Sequence, residues 1–102
     1  MKIVFCTAPA EAAQRLASTL VEERLAACVN VLPAVESIYR WQGAVERADE
    51  SLLVAKTSDA SLERLMSRLA EIHPYSTPEI VAVDVAKASA AYLAWVDAET
   101  SR

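Results

Sequence analysis

The chain has 102 residues, is 54% hydrophobic and carries a formal net charge of −4. That length fits one domain over residues 1–102 with a real core, and the ten Lys and Arg residues are scattered rather than massed into the cationic footprint that a nucleic-acid partner requires. No apolar stretch approaches the roughly 18 residues of a membrane span, and the run Ile3–Thr7 is too short for a signal-peptide core, so the expected setting is cytoplasmic.

Ile3–Thr7 ends at Ala8-Pro9 and reads as a buried strand. Pro9 suits the first turn of a helix, and Ala13, Leu16, Ala17, Leu20 and Val21 recur at helical spacing, so a helix is expected to run to about Arg24-Leu25. Cys28–Trp41 is rich in β-branched and aromatic residues. Alternation puts Cys28, Asn30 and Leu32 on one strand face and Val29 and Val31 on the other. Pro33 cannot donate to a ladder and marks an edge, kink or bulge. Beyond it Val35, Ser37, Tyr39 and Trp41 share a face. Gln42-Gly43 reads as a hairpin turn, and Val45–Thr57 as the returning strand. Leu62, Leu65, Met66, Leu69 and Ile72 form the stripe of a second helix, with Ser58 or Asp59 as cap candidates. It stops at His73, before Pro74. Ile80–Val85 is a further strand, and Ser89 caps a last helix carrying Tyr92, Leu93, Trp95 and Val96.

The order is β-α-β-β-α-β plus a C-terminal helix, an α+β chain of the ferredoxin-like type. Each hairpin arm of roughly 14 residues spans about 45 Å at ~3.3 Å per residue, whereas a compact domain of this size is about 34 Å across. The hairpin is therefore expected to protrude. Its apolar side chains Ile38, Tyr39 and Trp41 then need a cover, which points to a homo-oligomer with these three at the interface. A stacking surface for a small ligand is the other role open to the aromatics.

Chemistry concentrates at few residues. There is one histidine and there are two cysteines, too few for a tetrahedral zinc site within one chain. Cys28, His73 and Glu79 together make a borderline-soft set suited to Cu or Zn. The plain alternatives are a packed thiol and a helix-capping imidazole. Lys56 interrupts an apolar strand segment, either snorkelling from the core edge or holding an anion in a cleft. Pro74 and Pro78 flank Tyr75 and preorganise that turn, so a cleft is expected there. Cys28 with His73 is the one conceivable nucleophile and base, with no local oxyanion hole, and the chain is read as a non-enzyme.

The stretches Cys6-Thr7-Ala8-Pro9, Glu23–Val31, Ser37-Ile38-Tyr39-Arg40-Trp41-Gln42-Gly43, Lys56-Thr57, His73-Pro74-Tyr75, Pro78-Glu79-Ile80 and Tyr92-Leu93-Ala94-Trp95 resemble the CutA family of divalent-cation tolerance proteins. The resemblance spans nearly the whole chain in the family's order. It implies a ferredoxin-like fold similar to the PII signalling proteins, assembled as a tight homotrimer through the hairpin. It also implies a link to tolerance of copper and other divalent metals. A PII-like regulator, binding an anionic ligand in an intersubunit cleft near Lys56 and Tyr75, is the alternative. Two departures from the family's pattern are Ala34, where Gly or Asn is common, and Ser76-Thr77, where Glu-Val is common.

Overall fold

A computed structural model describes residues 1–101. Strands β1 (Lys2–Ala8), β2 (Cys28–Trp41), β3 (Ala44–Thr57) and β4 (Val81–Asp84) and helices α1 (Ala10–Glu22), α2 (Leu62–Ile72) and α3 (Ala90–Glu99) follow in the chain order β1-α1-β2-β3-α2-β4-α3. The strands form one antiparallel sheet in the order β2-β3-β1-β4. β3 separates β1 from β2, so the connection through α1 is a split βαβ unit, the ferredoxin-like arrangement.

One sheet face is covered. Val4, Cys6 and Ala8 of β1 meet Leu53 and Ala55 of β3, and Leu16 and Leu20 of α1 with Leu65 and Leu69 of α2 close the core over them. The helical periods place these residues as the sequence implies, but Val21 faces solvent. α1 also ends earlier than its apolar period. Arg24 adopts a left-handed φ of 59°, Leu25 N–H donates to Leu20 O at 2.9 Å and Arg24 N–H to Val21 O at 3.0 Å. This is a Schellman stop, with buried Leu25 supplying its apolar contact. The Arg24 guanidinium then donates to Ala98 O and Ser101 O, each at 2.8 Å, placing a cation on the carbonyl end of α3.

The other face is open. Ile3, Phe5 and Thr7 share it with Leu52, Val54 and Lys56, and with Val81 and Val83 of β4, by register and alternation. Leu32, Val81 and Val83 on this face are at least 40% exposed. Tyr92, Leu93 and Trp95 of α3 are also exposed, and only Val96 of that helix is buried. The pairing of β2 with β3 shifts between Leu32 and Val35, where Ala34 has a φ of 61°. This bulge at Pro33-Ala34 changes which residues face outward. Cys28, Asn30 and Leu32 hold the open face before it, and Val35, Ser37, Tyr39 and Trp41 hold it after.

Gln42 and Gly43 both have positive φ, 49° and 82°, as a type I′ turn demands. The hairpin they close stretches the molecule to 44 × 25 × 21 Å. The final strand is shorter than its apolar pattern, covering four residues that pair with Lys2 to Phe5 of β1.

Candidate functional site

The site starts where α2 stops. Pro74 forces His73 out of the helix, to φ −70° and ψ 139°. The imidazole turns back under the sheet edge and is only 7% exposed. Tyr75 N–H donates to its Nδ1 at 3.1 Å. Nε2 therefore carries the proton and donates to Thr7 O at 2.9 Å. Both ring nitrogens are thus occupied by backbone, and His73 pins the turn to β1. Its ring also lies against Tyr75, with centroids 4.8 Å apart.

Tyr75, so positioned, reaches across to β3. Its hydroxyl donates to Glu50 Oε2 at 2.8 Å. Partial burial, followed by this bond to the Glu50 carboxylate, pushes the Tyr75 phenol up to about 12. Glu50 is itself buried, 6% exposed, although it belongs to the polar half of its strand. The sequence reading missed it. The available signal is its position, two residues before the apolar run Leu52–Ala55, where the arm joins the domain.

Thr7, Glu50 and Glu79 form the floor of a cavity of about 530 Å³, with Tyr75 on one side of it. Ile38, Tyr39 and Trp41 wall it on the arm side. Beneath the floor, on the core face, Cys6 is 1% exposed. Burial, and then the negative charges of Glu79 and Glu50, push its thiol up to about 12, so it is held as an inert thiol.

The residues singled out from sequence separate into two groups. Tyr75, Glu79, Ile38, Tyr39 and Trp41 converge on the cleft, with His73 behind it as the support of the turn. Cys28 and Lys56 do not reach it. They pair with each other across β2 and β3, in the row of Ile3, whereas His73 bonds Thr7, four residues and about 13 Å further along β1. Lys56 Nζ donates to Asn30 Oδ1. Cys28, His73 and Glu79 therefore do not converge within one chain. Among the described residues, no three His, Cys, Asp or Glu side chains come together to hold a metal ion.

Comparison with known proteins places this architecture. Residues 2–99 match the family model described as CutA1 divalent ion tolerance protein. The chain is 46% identical over 100 residues to the divalent-cation tolerance protein CutA of Thermus thermophilus, covering 97% of each chain. The solved Thermus thermophilus structure superimposes with a TM-score of 0.94, covering 99% of this chain and 100% of that one. A structure described as the PII-like protein CutA from Nostoc sp. PCC 7120, in apo form, is 42% identical, covers 99% of this chain and 98% of its own, and gives a TM-score of 0.95. Over its full length, with the sheet order and arm just described, the chain belongs to the CutA1 family of divalent ion tolerance proteins.

Proposed function

We propose that the chain works as a homotrimeric, cytoplasmic divalent-cation tolerance protein, with copper or zinc as its ion, and that the ion meets residues of more than one subunit. One observation carries the assembly. The sheet face opposite the helices, continued along the arm by Tyr39 and Trp41, is an apolar surface without a cover in the single chain. Tight packing of copies against it removes that exposure.

The ligand set Cys28, His73 and Glu79 does not fit copper or zinc inside one chain, as its members lie apart and both His73 nitrogens are engaged. Cys28 and Glu79 make no side-chain hydrogen bond among the described residues, so contact between subunits is the way for them to share an ion. The proposed role is binding, and Cys28 and His73 are too distant for a nucleophile and its base.

The second reading is a PII-like regulator. Lys56 favours it, an ammonium on the open face at the level of Cys28, where a neighbouring copy would complete a cleft for an anionic ligand. It ranks second because the cleft's own charged groups are carboxylates.

Sedimentation equilibrium joined to copper and zinc titration tests the proposal, with Cys28→Ser, His73→Ala and Glu79→Gln in parallel. Three chains per particle and an affinity weakened by Cys28→Ser and Glu79→Gln are expected. A stable monomer at micromolar concentration overturns the assembly. Copper affinity within about twofold of wild type in all three variants overturns the metal site. Binding of inorganic phosphate that needs Lys56 and no metal then selects the regulator.

A further inference from the structure

The cleft between the Tyr75 turn and the arm has an electrostatic imbalance that the divalent-cation role leaves unexplained. Glu50 is nine-tenths buried, yet only one of its oxygens, Oε2, has a partner, the Tyr75 hydroxyl. No fully buried side-chain oxygen among the described residues lacks a hydrogen bond, so Oε1 opens onto the cleft. Glu79 adds a second carboxylate to the same cavity. Among the described residues, neither forms a salt bridge with Lys, Arg or the N-terminus; the ion pairs of the chain involve Glu23, Glu36, Asp59, Glu71, Asp84 and Glu99 instead. A buried carboxylate without a counter-ion is costly, and a cationic ligand offsets that cost.

The cation that fits is not a bare metal ion. Two carboxylates and a few hydroxyls fall short of a coordination sphere, and no imidazole or thiolate is available at the cleft. The walls are aromatic and aliphatic instead, with the rings of Tyr39 and Trp41 beside Ile38 on one side and Tyr75 on the other. Aromatic faces attract ammonium groups and cover apolar stems. A cavity of about 530 Å³ falls within the range of small-molecule sites. We infer that this cleft binds a small organic ammonium ion, a protonated primary amine on an aliphatic stem. The ammonium donates to Glu50 Oε1 and to Glu79, the Thr7 hydroxyl lies within the same floor, and the stem runs along Tyr39 and Trp41. Because those two residues also belong to the proposed subunit contact, the site lies at the subunit boundary. The inference shares Glu79 with the copper or zinc reading and parts from it at Cys28, which lies at the other end of the sheet.

Isothermal titration of the intact protein with three probes of equal length, pentylammonium, pentanol and pentanoate, tests it. Pentylammonium is expected to bind at one per chain, with the alcohol and the carboxylate at least roughly tenfold weaker. Glu79→Gln, an exposed position whose loss leaves the fold intact, is expected to weaken the amine about tenfold and leave pentanol unchanged. Glu50→Gln is expected to weaken it further, with sedimentation and melting temperature confirming an intact assembly. Equal affinity for pentanol and pentylammonium overturns the inference, since the cleft is then only an apolar groove. So does preference for pentanoate, absence of amine binding at millimolar concentration, or amine binding indifferent to Glu79→Gln. Cys28→Ser separates the two readings, because it is expected to weaken copper or zinc and to leave amine binding intact.

Discussion

The Tyr75 hydroxyl donates to Glu50 Oε2 at 2.8 Å, and this bond fastens the loop after α2 to the root of the hairpin. It fixes the distance between the two walls of the cleft. Removing the hydroxyl leaves a buried carboxylate one donor short. Tyr75→Phe is expected to cost about 1–3 kcal/mol, measured as a lower urea midpoint with an unchanged slope. A neutral Tyr75→Phe would show that water replaces the bond without loss.

Stability is expected to decline on the alkaline side. Burial, and secondarily Glu50, raises the Tyr75 phenol from 10.0 to about 12. Burial, and then the charges of Glu79 and Glu50, raises the Cys6 thiol from 9.0 to about 12. Both groups are held protonated in the folded state, so their contribution is fully present below the unfolded-state values and is lost as pH rises toward the folded ones. The urea midpoint is therefore expected to fall between about pH 9 and 12. Cys6→Ala should flatten the lower part of that fall and Tyr75→Phe the upper part. A midpoint constant across the window would contradict the assignment.

His73 joins two backbone groups remote in sequence, Thr7 O and Tyr75 N–H. His73→Ala is expected to cost about 2–4 kcal/mol, two hydrogen bonds and a small void. Amide exchange should quicken first at Tyr75. An exchange rate equal to wild type at that amide would count against the pinning role.

Ala34 is a β-carbon residue in a left-handed conformation, φ 61°, at a cost of about 1–2 kcal/mol. Ala34→Gly is expected to raise stability by roughly 0.5–1 kcal/mol, since relief of strain exceeds the added freedom of the unfolded chain. A lower thermal midpoint for the glycine variant would falsify this account of the bulge.

Association and folding should be coupled through the open face. The melting temperature is expected to rise with protein concentration. Trp41→Ala should weaken the assembly by about 3 kcal/mol or more if neighbouring copies bury the ring fully. A concentration-independent melting temperature would speak for a self-sufficient single chain.

The sequence by itself determined the elements and their order. Helical stripes such as Leu62, Leu65 and Leu69, the stops at Pro9 and Pro74, the Ser89 cap and the Gln42-Gly43 turn act over one or two turns of chain, so their signals are local. From that order the split βαβ arrangement and the overlong arm followed. The tertiary structure alone decided what depends on strand register. The bulge at Pro33-Ala34 switched the outward-facing residues of β2 and kept one continuous open face. The pairing of β3 carried Glu50, a residue of the polar arm, into a buried position under Tyr75. The same register set Cys28 beside Lys56 and left it four rows from Thr7, which His73 bonds. No periodicity encodes these distances, because they arise from contacts between residues remote in sequence, and one shift in pairing would move every one of them.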